Sequence, residues 1–432
     1  MGLWSRPLGY LERCRRLFGG EFTLRLPAQV PFVMLTDPGD LKQLFTASPE
    51  ILRPGVGARI LEPVFGPGSL LLLDGEEHLQ QRRLMLPAFR GDHAQGLAEL
   101  VDDLAERAVE GWPRERPVAL QPLLQELTLS VIIRVIFGET ETGSRLAQLH
   151  ERVTEVCDYG NRSPLSMIPA GRVPTRFGPH ARFSALRAGA DELLFAEIAE
   201  RRRGPGERGR DVLSMLLGAR RQDGEALTDA EIRDQLMTLL VVGHETSATE
   251  LAWAFELLCR APDVVRRLIV EIDGDGDGDY LRATVNEVLR RRPVLPTASP
   301  RAVHEPIEIG GRRYEPGVNL VAAIYLVHHD AKLDPDPHAF RPERFLGVEP
   351  GTYSWIPFGG GRRRCLGSGL ALLEMGSVLR AVLRRSEISP VRRSPELARR
   401  RSFAVGPARG AEVILRDRRP GAVLYEHMPA AG

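Results

Sequence analysis

The feature that most constrains this chain is a glycine- and arginine-rich run near its C-terminus, from Tyr353 to Leu370, which contains Cys365. Three consecutive glycines, Gly359 to Gly361, allow positive φ and let the backbone lie close to a flat group. A helical pattern follows from Leu370 to Arg385, so the cysteine precedes a helix N-terminus, where the helix dipole and the arginines favour a thiolate. A thiolate in such a loop is a good ligand for iron, although an isolated cysteine is more often an inert buried thiol.

The spacing within this run is specific. The pattern Phe358-x-x-Gly361-x-Arg363-x-Cys365-x-Gly367 resembles the haem-binding loop of the cytochrome P450 family. The resemblance implies that the cofactor is haem b and that Cys365 is the axial ligand of its iron. It further implies that Phe358 packs near the sulfur, that Arg363 meets a haem propionate, and that Gly367 belongs to the cofactor-binding loop.

A second strong signal predicts a long central helix. Thr228-x-x-Glu231 is a capping box, which marks a helix start, and Leu227 with Ile232 forms the matching hydrophobic pair. The helical pattern then continues to Pro262. At 1.5 Å per residue, about 33 residues span roughly 50 Å, so this helix is expected to cross the whole domain.

Polar residues interrupt the middle of this helix. Gly243-x-Glu245-Thr246 resembles the oxygen-activation motif of the same family, in which the acid and the alcohol organise proton delivery. The resemblance implies that Glu245 and Thr246 are catalytic; the alternative is a few buried polar groups, with the hydroxyl bonded to the preceding helical turn. Val242 stands where the family usually has Ala or Gly, and its bulk is expected to narrow the pocket beside Gly243.

Two basic residues lie on a further predicted helix, which opens with Asp74 as its expected N-cap and an acidic first turn. His78 and Arg82 are four residues apart and therefore share one helical face. They are either two exposed polar residues or, as the resemblance implies, partners of the haem propionates. The resemblance assigns the same role to Arg301.

A third motif is structural. Glu287-Val-Leu-Arg290 places two opposite charges on one helical face. The motif is weak in isolation, but its position resembles the Glu-x-x-Arg pair that stabilises the family fold on the cysteine side. In a later Pro-rich segment, Arg344 is implied to complete that network.

The substrate pocket is predicted from the matching family segments. Its expected lining residues are Val242, Gly243, Leu295, Thr297, Ala298 and Phe403. These segments are largely apolar, so we expect a hydrophobic small molecule: a fatty acid, terpenoid, steroid-like compound or polyketide.

Composition excludes several classes of function. The chain has 432 residues and a formal net charge of +1, which offers no general argument for nucleic acid. Its four cysteines include no C-x-x-C pair, which fits a reducing, cytoplasmic compartment. No apolar run reaches the roughly 18 residues that a membrane helix needs, so no membrane anchor is expected. The acidic loop from Asp273 to Asp279 is not an EF-hand, because Thr284 stands where that motif needs Glu.

The predicted architecture is mainly α with a small β region: the cytochrome P450 fold, with one domain and the long central helix over the haem. We expect residues 1–20 to be an N-terminal extension, 20–417 the haem-thiolate domain and 418–432 a flexible tail. Residues 51–73 are predicted to form a long loop, and Ile307 to Tyr314 a hairpin around Gly310-Gly311. Val318 to Val327 is predicted to be an apolar strand.

The predicted function is that of a monooxygenase, which inserts one oxygen atom of O2 into a C–H bond. The chain carries no flavin or iron–sulfur motif, so electrons are expected from ferredoxin and its reductase, or from a flavodoxin-type donor. Arg362 and Arg364 either dock that carrier or serve only the haem. A peroxide-driven oxidase and a non-catalytic haem-thiolate sensor are the alternatives, and the acid–alcohol pair argues against both. A monomer is expected.

Overall fold

The structure is a computed structural model that describes residues 6–26, 29–89, 92–138, 144–162, 179–204, 211–221, 223–274, 276–401 and 404–418. Of the predicted pocket residues, Phe403 lies outside these ranges, so its placement stays a prediction. Most of the predicted C-terminal tail, residues 419–432, also lies outside them.

Helices dominate the described chain. In chain order they are α1 (Pro7–Phe18), α2 (Pro38–Thr46), α3 (Pro54–Gly57), α4 (Glu62–Phe65), α5 (Gly75–Met85), α6 (Asp92–Glu110), α7 (Leu120–Phe137), α8 (Ser144–Arg162), α9 (Pro179–Arg203), α10 (Val212–Gly218), α11 (Asp229–Leu258), α12 (Pro262–Asp273), α13 (Asp279–Arg291), α14 (Ile324–His328) and α15 (Ser368–Arg385). Short 3-10 turns occur at Arg59–Leu61, Leu86–Phe89, Pro342–Phe345 and Gly361–Arg363.

The strands are short and form small sheets. They are β1 (Phe22–Leu24), β2 (Phe32–Leu35), β3 (Leu52–Arg53), β4 (Pro117–Ala119), β5 (Arg301–Val303), β6 (Ile307–Ile309), β7 (Arg312–Tyr314), β8 (Asn319–Ala322), β9 (Ser386–Pro390), β10 (Ala398–Arg401), β11 (Ala404–Pro407) and β12 (Glu412–Asp417). The largest sheet has the order β1-β2-β8-β5-β3, with β2 and β8 parallel; the others are β4-β12-β9, β10-β11 and β6-β7.

The central helix α11 begins as the sequence predicts. The Thr228 hydroxyl accepts a hydrogen bond from the Glu231 N–H, and the Glu231 side chain accepts one from the Thr228 N–H. The helix ends at Leu258, earlier than predicted. Arg260 and Ala261 turn more tightly, donating to carbonyls three residues back, and the following Pro262 starts α12.

Helix α7 packs against α11 at close range. A Cβ atom built on Gly243 would lie 3.0 Å from the Ile132 side chain, so the absence of a side chain there lets the two helices approach. The length and composition of α7 would allow it to span a membrane, contrary to our expectation from the sequence, but 67% of it is buried inside the protein. In this fold α7 is a core helix.

The β region contains one prediction that is wrong in part. The hairpin is confirmed, with positive φ at both Gly310 and Gly311. The predicted strand from Val318 to Val327, however, ends at Ala322, where its pairing with β2 stops. The chain then forms α14, because Tyr325 and His328 find other partners there: the Tyr325 hydroxyl donates to Glu12, and His328 Nε2 accepts from the Ile356 N–H.

The predicted loop of residues 51–73 is also more ordered than expected. It contains β3, α3, a 3-10 turn and α4, and β3 pairs with β5 in the largest sheet. Within the predicted N-terminal extension, α1 contacts α14, since the Arg15 guanidinium donates to the carbonyls of Leu326 and His329. The domain boundaries themselves stay predictions.

Candidate functional site

The cysteine loop is held by its own backbone and by helix α2. The Cys365 N–H donates to the Phe358 carbonyl at 2.9 Å, which closes the loop. Gly361 has φ of +63°, and a side chain there would overlap the Phe45 carbonyl oxygen; one on Gly360 would lie 2.6 Å from the Phe45 ring. From the sequence, these glycines were expected to let the backbone lie close to a flat group. In the structure, the absence of side chains at Gly360 and Gly361 also makes room for Phe45.

The Cys365 thiol lies deep in the molecule yet keeps exposed side-chain surface. Burial raises the pKa of this thiol, while the Gly367 N–H and the charges of Arg82 and Arg364 act in the opposite direction. Gly367 is the N-cap of α15. A thiol in this setting ionises readily once a metal cation binds its sulfur.

Four basic side chains from three parts of the chain converge next to this loop. His78 and Arg82 come from α5, Arg301 from β5 and Arg363 from the cysteine loop. Burial, followed by the charges of Arg363, Arg82 and Arg301, lowers the pKa of His78 to about 3. Burial likewise lowers the pKa of Arg301 and that of Arg363 to about 10.

The carboxylate that faces this basic cluster is Asp74, whose Oδ1 lies 2.8 Å from Arg363 Nη2. The lowered pKa values show that burial and mutual repulsion outweigh the attraction of Asp74. The cluster therefore favours an additional anionic ligand. A pocket lined by His78, Leu79, Arg301 and Arg363 opens at this point.

Asp74 corrects a prediction. The sequence suggested that its side chain caps helix α5, but it makes no capping hydrogen bond. It accepts instead from the N–H groups of Gly55, at 2.7 Å, and Val56, at 3.1 Å, in addition to Arg363. Asp74 thus joins α3 to the cysteine loop across nearly 300 residues of sequence.

One face of α11, called the open face below, is partly exposed in the middle of the helix. Within its largely buried middle, the partly exposed residues are Leu239, Val242, Gly243 and Thr246. Their spacing places them on one helical face. The Thr246 hydroxyl donates to the Val242 carbonyl at 2.8 Å. Val242 borders the same apolar core as Phe358 and Leu366 of the cysteine loop.

Glu245 lies on a different face from Thr246. Its carboxyl group is 1% exposed, and Oε2 accepts from Gln125 Nε2 of α7 at 2.7 Å. His244 Nε2 lies 4.0 Å from the same oxygen, but burial lowers the pKa of His244 to about 4, so its ring is neutral at neutral pH. The acid thus contacts α7, while the alcohol belongs to the open face.

The sequence analysis missed Gln125, which is one of three polar residues that α7 directs toward α11. The three contacts are Gln121 Nε2 to Thr249 Oγ1 at 2.9 Å, Gln125 to Glu245, and Thr128 Oγ1 to the His244 carbonyl at 3.0 Å. Polar residues four and three apart in an apolar helix were the available signal.

Glu374 of α15 was also missed. It is 2% exposed and is hydrogen-bonded to the Ser247 side chain of α11, the residue after Thr246. Burial raises the pKa of Glu374 to about 8, so the group is mostly protonated at neutral pH. An acid nine residues after Cys365, inside an apolar helical pattern, was the signal for it.

The structure brings together the three residues of the predicted charge network. Arg290 Nε and Nη2 donate to the two Glu287 oxygens at 2.7 and 2.9 Å, and Arg344 Nε lies 3.5 Å from Glu287 Oε1. Arg290 also donates to the carbonyls of His328 and Pro337. Asp334, which the sequence analysis did not single out, pairs with Arg344.

Of the predicted pocket residues beyond α11, Leu295, Thr297 and Ala298 are partly exposed in the segment that follows α13. The Ala298 N–H donates to the Ala322 carbonyl of β8 at 2.9 Å, which attaches the segment to the largest sheet.

These residues fit a sulfur-ligated haem. Among the described residues, no group of three or more His, Cys, Asp or Glu side chains is placed to hold a metal ion. A macrocycle, however, supplies the other ligands, so one cysteine suffices. The basic cluster suits the two carboxylates of such a cofactor. The fold and site therefore define a class, the haem-thiolate proteins.

Comparison with known proteins identifies the family within that class. The family model for cytochrome P450 matches residues 2–410. "Putative cytochrome P450 135B1" of Mycobacterium tuberculosis is 38% identical over 418 residues, covering 95% of this chain and 88% of the relative. "Putative cytochrome P450 137" of the same species is 38% identical over 415 residues, covering 94% and 85%.

Solved structures agree in fold. The retinoic acid-bound cyanobacterial CYP120A1 superposes with a TM-score of 0.82 at 24% identity, covering 94% of each chain. The haem domain of cytochrome P450DA gives 0.80 at 23% identity, covering 96% of this chain and 93% of that one. The chain belongs to the cytochrome P450 family, whose members are haem-thiolate monooxygenases, and its cofactor is haem b.

The predictions of family, fold class, enzyme class and cofactor are thereby confirmed. The roles assigned to individual site residues stay predictions.

Proposed function

We propose that this protein inserts one oxygen atom from O2 into a C–H bond of a hydrophobic small molecule, and that Cys365 would hold the haem through its thiolate. The observation that carries the proposal is the Cys365 thiol, which keeps open surface beside a basic cluster with excess positive charge. When bound, haem supplies the redox chemistry that activates O2 and transfers one oxygen atom to the substrate.

The basic cluster holds the cofactor in this proposal. Arg301 and Arg363 are the main propionate partners, because both guanidinium groups are largely buried and the pKa of each is lowered by that burial and by the charge of a neighbouring arginine. Arg82 adds a third guanidinium on α5. His78 is neutral at neutral pH, so its contribution is a hydrogen bond and not a charge.

Proton delivery falls to the open face of α11 and the residues behind it. Thr246 lies on that face, and its hydroxyl, anchored to the Val242 carbonyl, can pass a proton toward the reacting centre. Glu245, held by Gln125, supplies the acid on the adjoining face. Because the two side chains face different directions, we infer that protons reach Thr246 through intervening water.

The substrate faces Val242, Gly243, Leu295, Thr297 and Ala298, with Phe403 as a further proposed wall residue. The apolar character of this set supports a lipid-like, terpenoid, steroid-like or polyketide substrate. The chain's free thiols, Cys14, Cys157, Cys259 and Cys365, are consistent with a cytoplasmic setting. We expect a monomer.

Electrons are proposed to come from ferredoxin and its reductase, or from a flavodoxin-type donor. Arg362 and Arg364 are both exposed and flank the cysteine loop, where they offer positive charge to an acidic carrier. The alternative is that these arginines serve only the haem: the charge of Arg364 acts on Cys365, and Arg362 lines the pocket at the basic cluster.

The direct test is the carbon monoxide difference spectrum of the reduced protein. We expect a strongly red-shifted Soret band, because a thiolate ligand donates electron density to the iron. Fatty acids, terpenes and steroids are then titrated, and displacement of the iron-bound water is followed spectroscopically. A haem spectrum without the red shift would contradict the ligand assignment, and turnover that needs peroxide in place of O2 would favour the peroxide-driven alternative.

Thr246→Ala is expected to uncouple the enzyme. Product formation should fall about 10²-fold, the low end for a lost proton-transfer group, while oxygen uptake continues and its electrons appear as hydrogen peroxide. Thr246→Ser should retain most of the coupling. Product and peroxide are measured per electron consumed.

A matched control is Thr249→Ala, which removes a hydroxyl from the same helix. Thr249 is fully buried and accepts from Gln121, away from the open face. The Thr249→Ala variant should be less stable than the wild type, but its oxygen uptake should stay coupled to product formation. Equal uncoupling in both variants, or none in Thr246→Ala, would show that the relay assignment is wrong.

A further inference from the structure

We infer that Glu250 and Trp253 of α11 are specificity-determining positioning residues. They fix the positions of two walls of the substrate pocket relative to the central helix. The inference rests on the proposed function, because it needs those walls to contact substrate. One wall is the segment Leu295–Ala298 and the other is the hairpin of β10 and β11. Neither Glu250 nor Trp253 belongs to a motif seen in the sequence.

The two residues hold the walls through a closed set of hydrogen bonds. Glu250 Oε2 accepts from the Val294 N–H at 3.0 Å, and the indole N–H of Trp253 donates to the Val405 carbonyl at 2.8 Å. The Val405 N–H in turn donates to the Val294 carbonyl at 2.8 Å. Each of the three elements, α11, the segment after α13 and the β10–β11 hairpin, is therefore hydrogen-bonded to the other two. A shift of one element would strain its hydrogen bonds to both of the others.

The position of the two residues along α11 links them to the site. Glu250 and Trp253 follow Thr246 by four and seven residues, so they continue the face formed by Leu239, Val242 and Thr246. Before Thr246 this face is partly exposed. After it, Glu250 is 2% exposed and Trp253 is fully buried, because the two walls cover them.

The anchored atoms belong to residues that lie within two positions of the proposed contact residues in the sequence. Val294 immediately precedes Leu295, so a shift of its N–H moves Leu295 directly. Val405 pairs with Arg400 in the hairpin and lies just after residues 402–403, which include Phe403. Residues 402–403 are outside the described chain, and the described contact on that side is the one made by Val405.

Stability alone does not explain a carboxyl group at Glu250. Its side chain is buried, and within the described chain its second oxygen, Oε1, has no hydrogen-bond partner. Burial of this kind costs free energy, which an apolar residue would avoid. A buried polar group that departs from full hydrogen bonding in this way is typical of functional sites. Burial also raises the pKa of Glu250 well above its usual range.

Arg292 supports the second anchor. Its guanidinium lies over the Trp253 ring, 4.9 Å from the centroid. This contact fixes the indole from the side of the segment that follows α13, so its N–H stays directed at Val405.

The test compares ligands that are large enough to contact the proposed pocket walls with one that is too small to do so. Imidazole coordinates haem iron and is small, so it reports the haem and its access; 4-phenylimidazole and dodecanoic acid also contact the pocket walls. We expect Glu250→Leu to change the ratio of the Kd values of 4-phenylimidazole and imidazole by about tenfold, equivalent to one lost hydrogen bond. Glu250→Gln, whose amide oxygen still accepts from Val294, should keep the wild-type ratio.

A second readout is independent of haem. Hydrogen exchange, measured by mass spectrometry on peptides that contain Val294 and Val405, should become about tenfold faster in Glu250→Leu at the Val294 peptide. Trp253→Phe, which loses the indole N–H, should accelerate exchange at the Val405 peptide. The peptide that contains Thr228 serves as the internal reference, because it lies at the opposite end of α11.

The outcomes separate this inference from the proposed function. If imidazole binds the variants normally while the ratio and the exchange stay at wild-type values, the positioning role is wrong and the proposed function stands. If exchange accelerates but the ratio does not change, the contacts are structural and not specificity-determining. If the wild-type protein lacks the thiolate spectrum, the proposed function fails first, and the inference falls with it.

Discussion

Cys365→Ser is expected to abolish monooxygenase activity, with product formation below detection, and to remove the red-shifted Soret band of the reduced carbon monoxide complex. Serine differs from cysteine by one atom, but its hydroxyl stays protonated and is a poor ligand for iron compared with a thiolate. The basic cluster of Arg301 and Arg363 is untouched by the change, so we expect some haem to remain bound. The measurements are the difference spectrum and product formation at matched haem content.

Cys259→Ser is the matched control for this prediction. Cys259 is buried, and its thiol donates to the Glu256 carbonyl at 3.2 Å, a contact that a serine hydroxyl can reproduce. It should leave the spectrum and the activity close to wild type. A red-shifted band that persists in Cys365→Ser would show that another residue ligates the iron.

Glu287→Ala is expected to destabilise the fold by about 3–5 kcal/mol, the range for removing one partner of a buried ion pair. Glu287 is fully buried, and its carboxylate accepts from Arg290 and from the Arg341 N–H. Without it, the Arg290 guanidinium stays buried with only carbonyl partners nearby, apart from Asp334 at 3.9 Å. The measurement is the midpoint of urea unfolding at matched haem content.

The same helix offers a control with the same spacing. Asp279 and Arg282 of α13 are also three residues apart, but their side chains are 50% and 68% exposed. Asp279→Ala should therefore cost less than about 1 kcal/mol. Similar losses of unfolding free energy in the two variants would show that burial of the Glu287–Arg290 pair does not increase its contribution to stability.

The loss at Glu287 should also weaken haem binding. Two neighbours of the network lead directly to the cysteine loop: the Trp355 indole donates to the Asn286 carbonyl at 3.2 Å, and the Ile356 N–H donates to His328 Nε2 at 2.8 Å. Arg290 bonds the His328 carbonyl. A shift of α13 is thus transmitted to the residues just before Phe358.

The parts of this protein that could be predicted from its sequence depend on neighbouring residues. The capping box at Thr228 and the turn at Gly310-Gly311 each involve residues within four positions of one another, and both are present in the structure. The run around Cys365 is equally local, and its pattern identified the family before any tertiary contact was known.

The contacts between segments that are distant in sequence were determined only by the tertiary structure. The capping prediction for Asp74 failed because Arg363 and the N–H groups of Gly55 and Val56 compete for its carboxylate. The strand predicted to reach Val327 stopped where β2 stopped. In both cases partners far away in sequence outweighed local preference.

The sequence by itself determined the family, the cofactor, the start of α11 and the order of the motifs, since each rests on short-range chemistry. Only the tertiary structure showed that Glu245 contacts Gln125 while Thr246 lies on a partly exposed face, and that Glu250 and Trp253 are hydrogen-bonded to Val294 and Val405. The physical reason is that a helical pattern places residues on faces, but packing against other elements decides which face is buried and which polar groups meet.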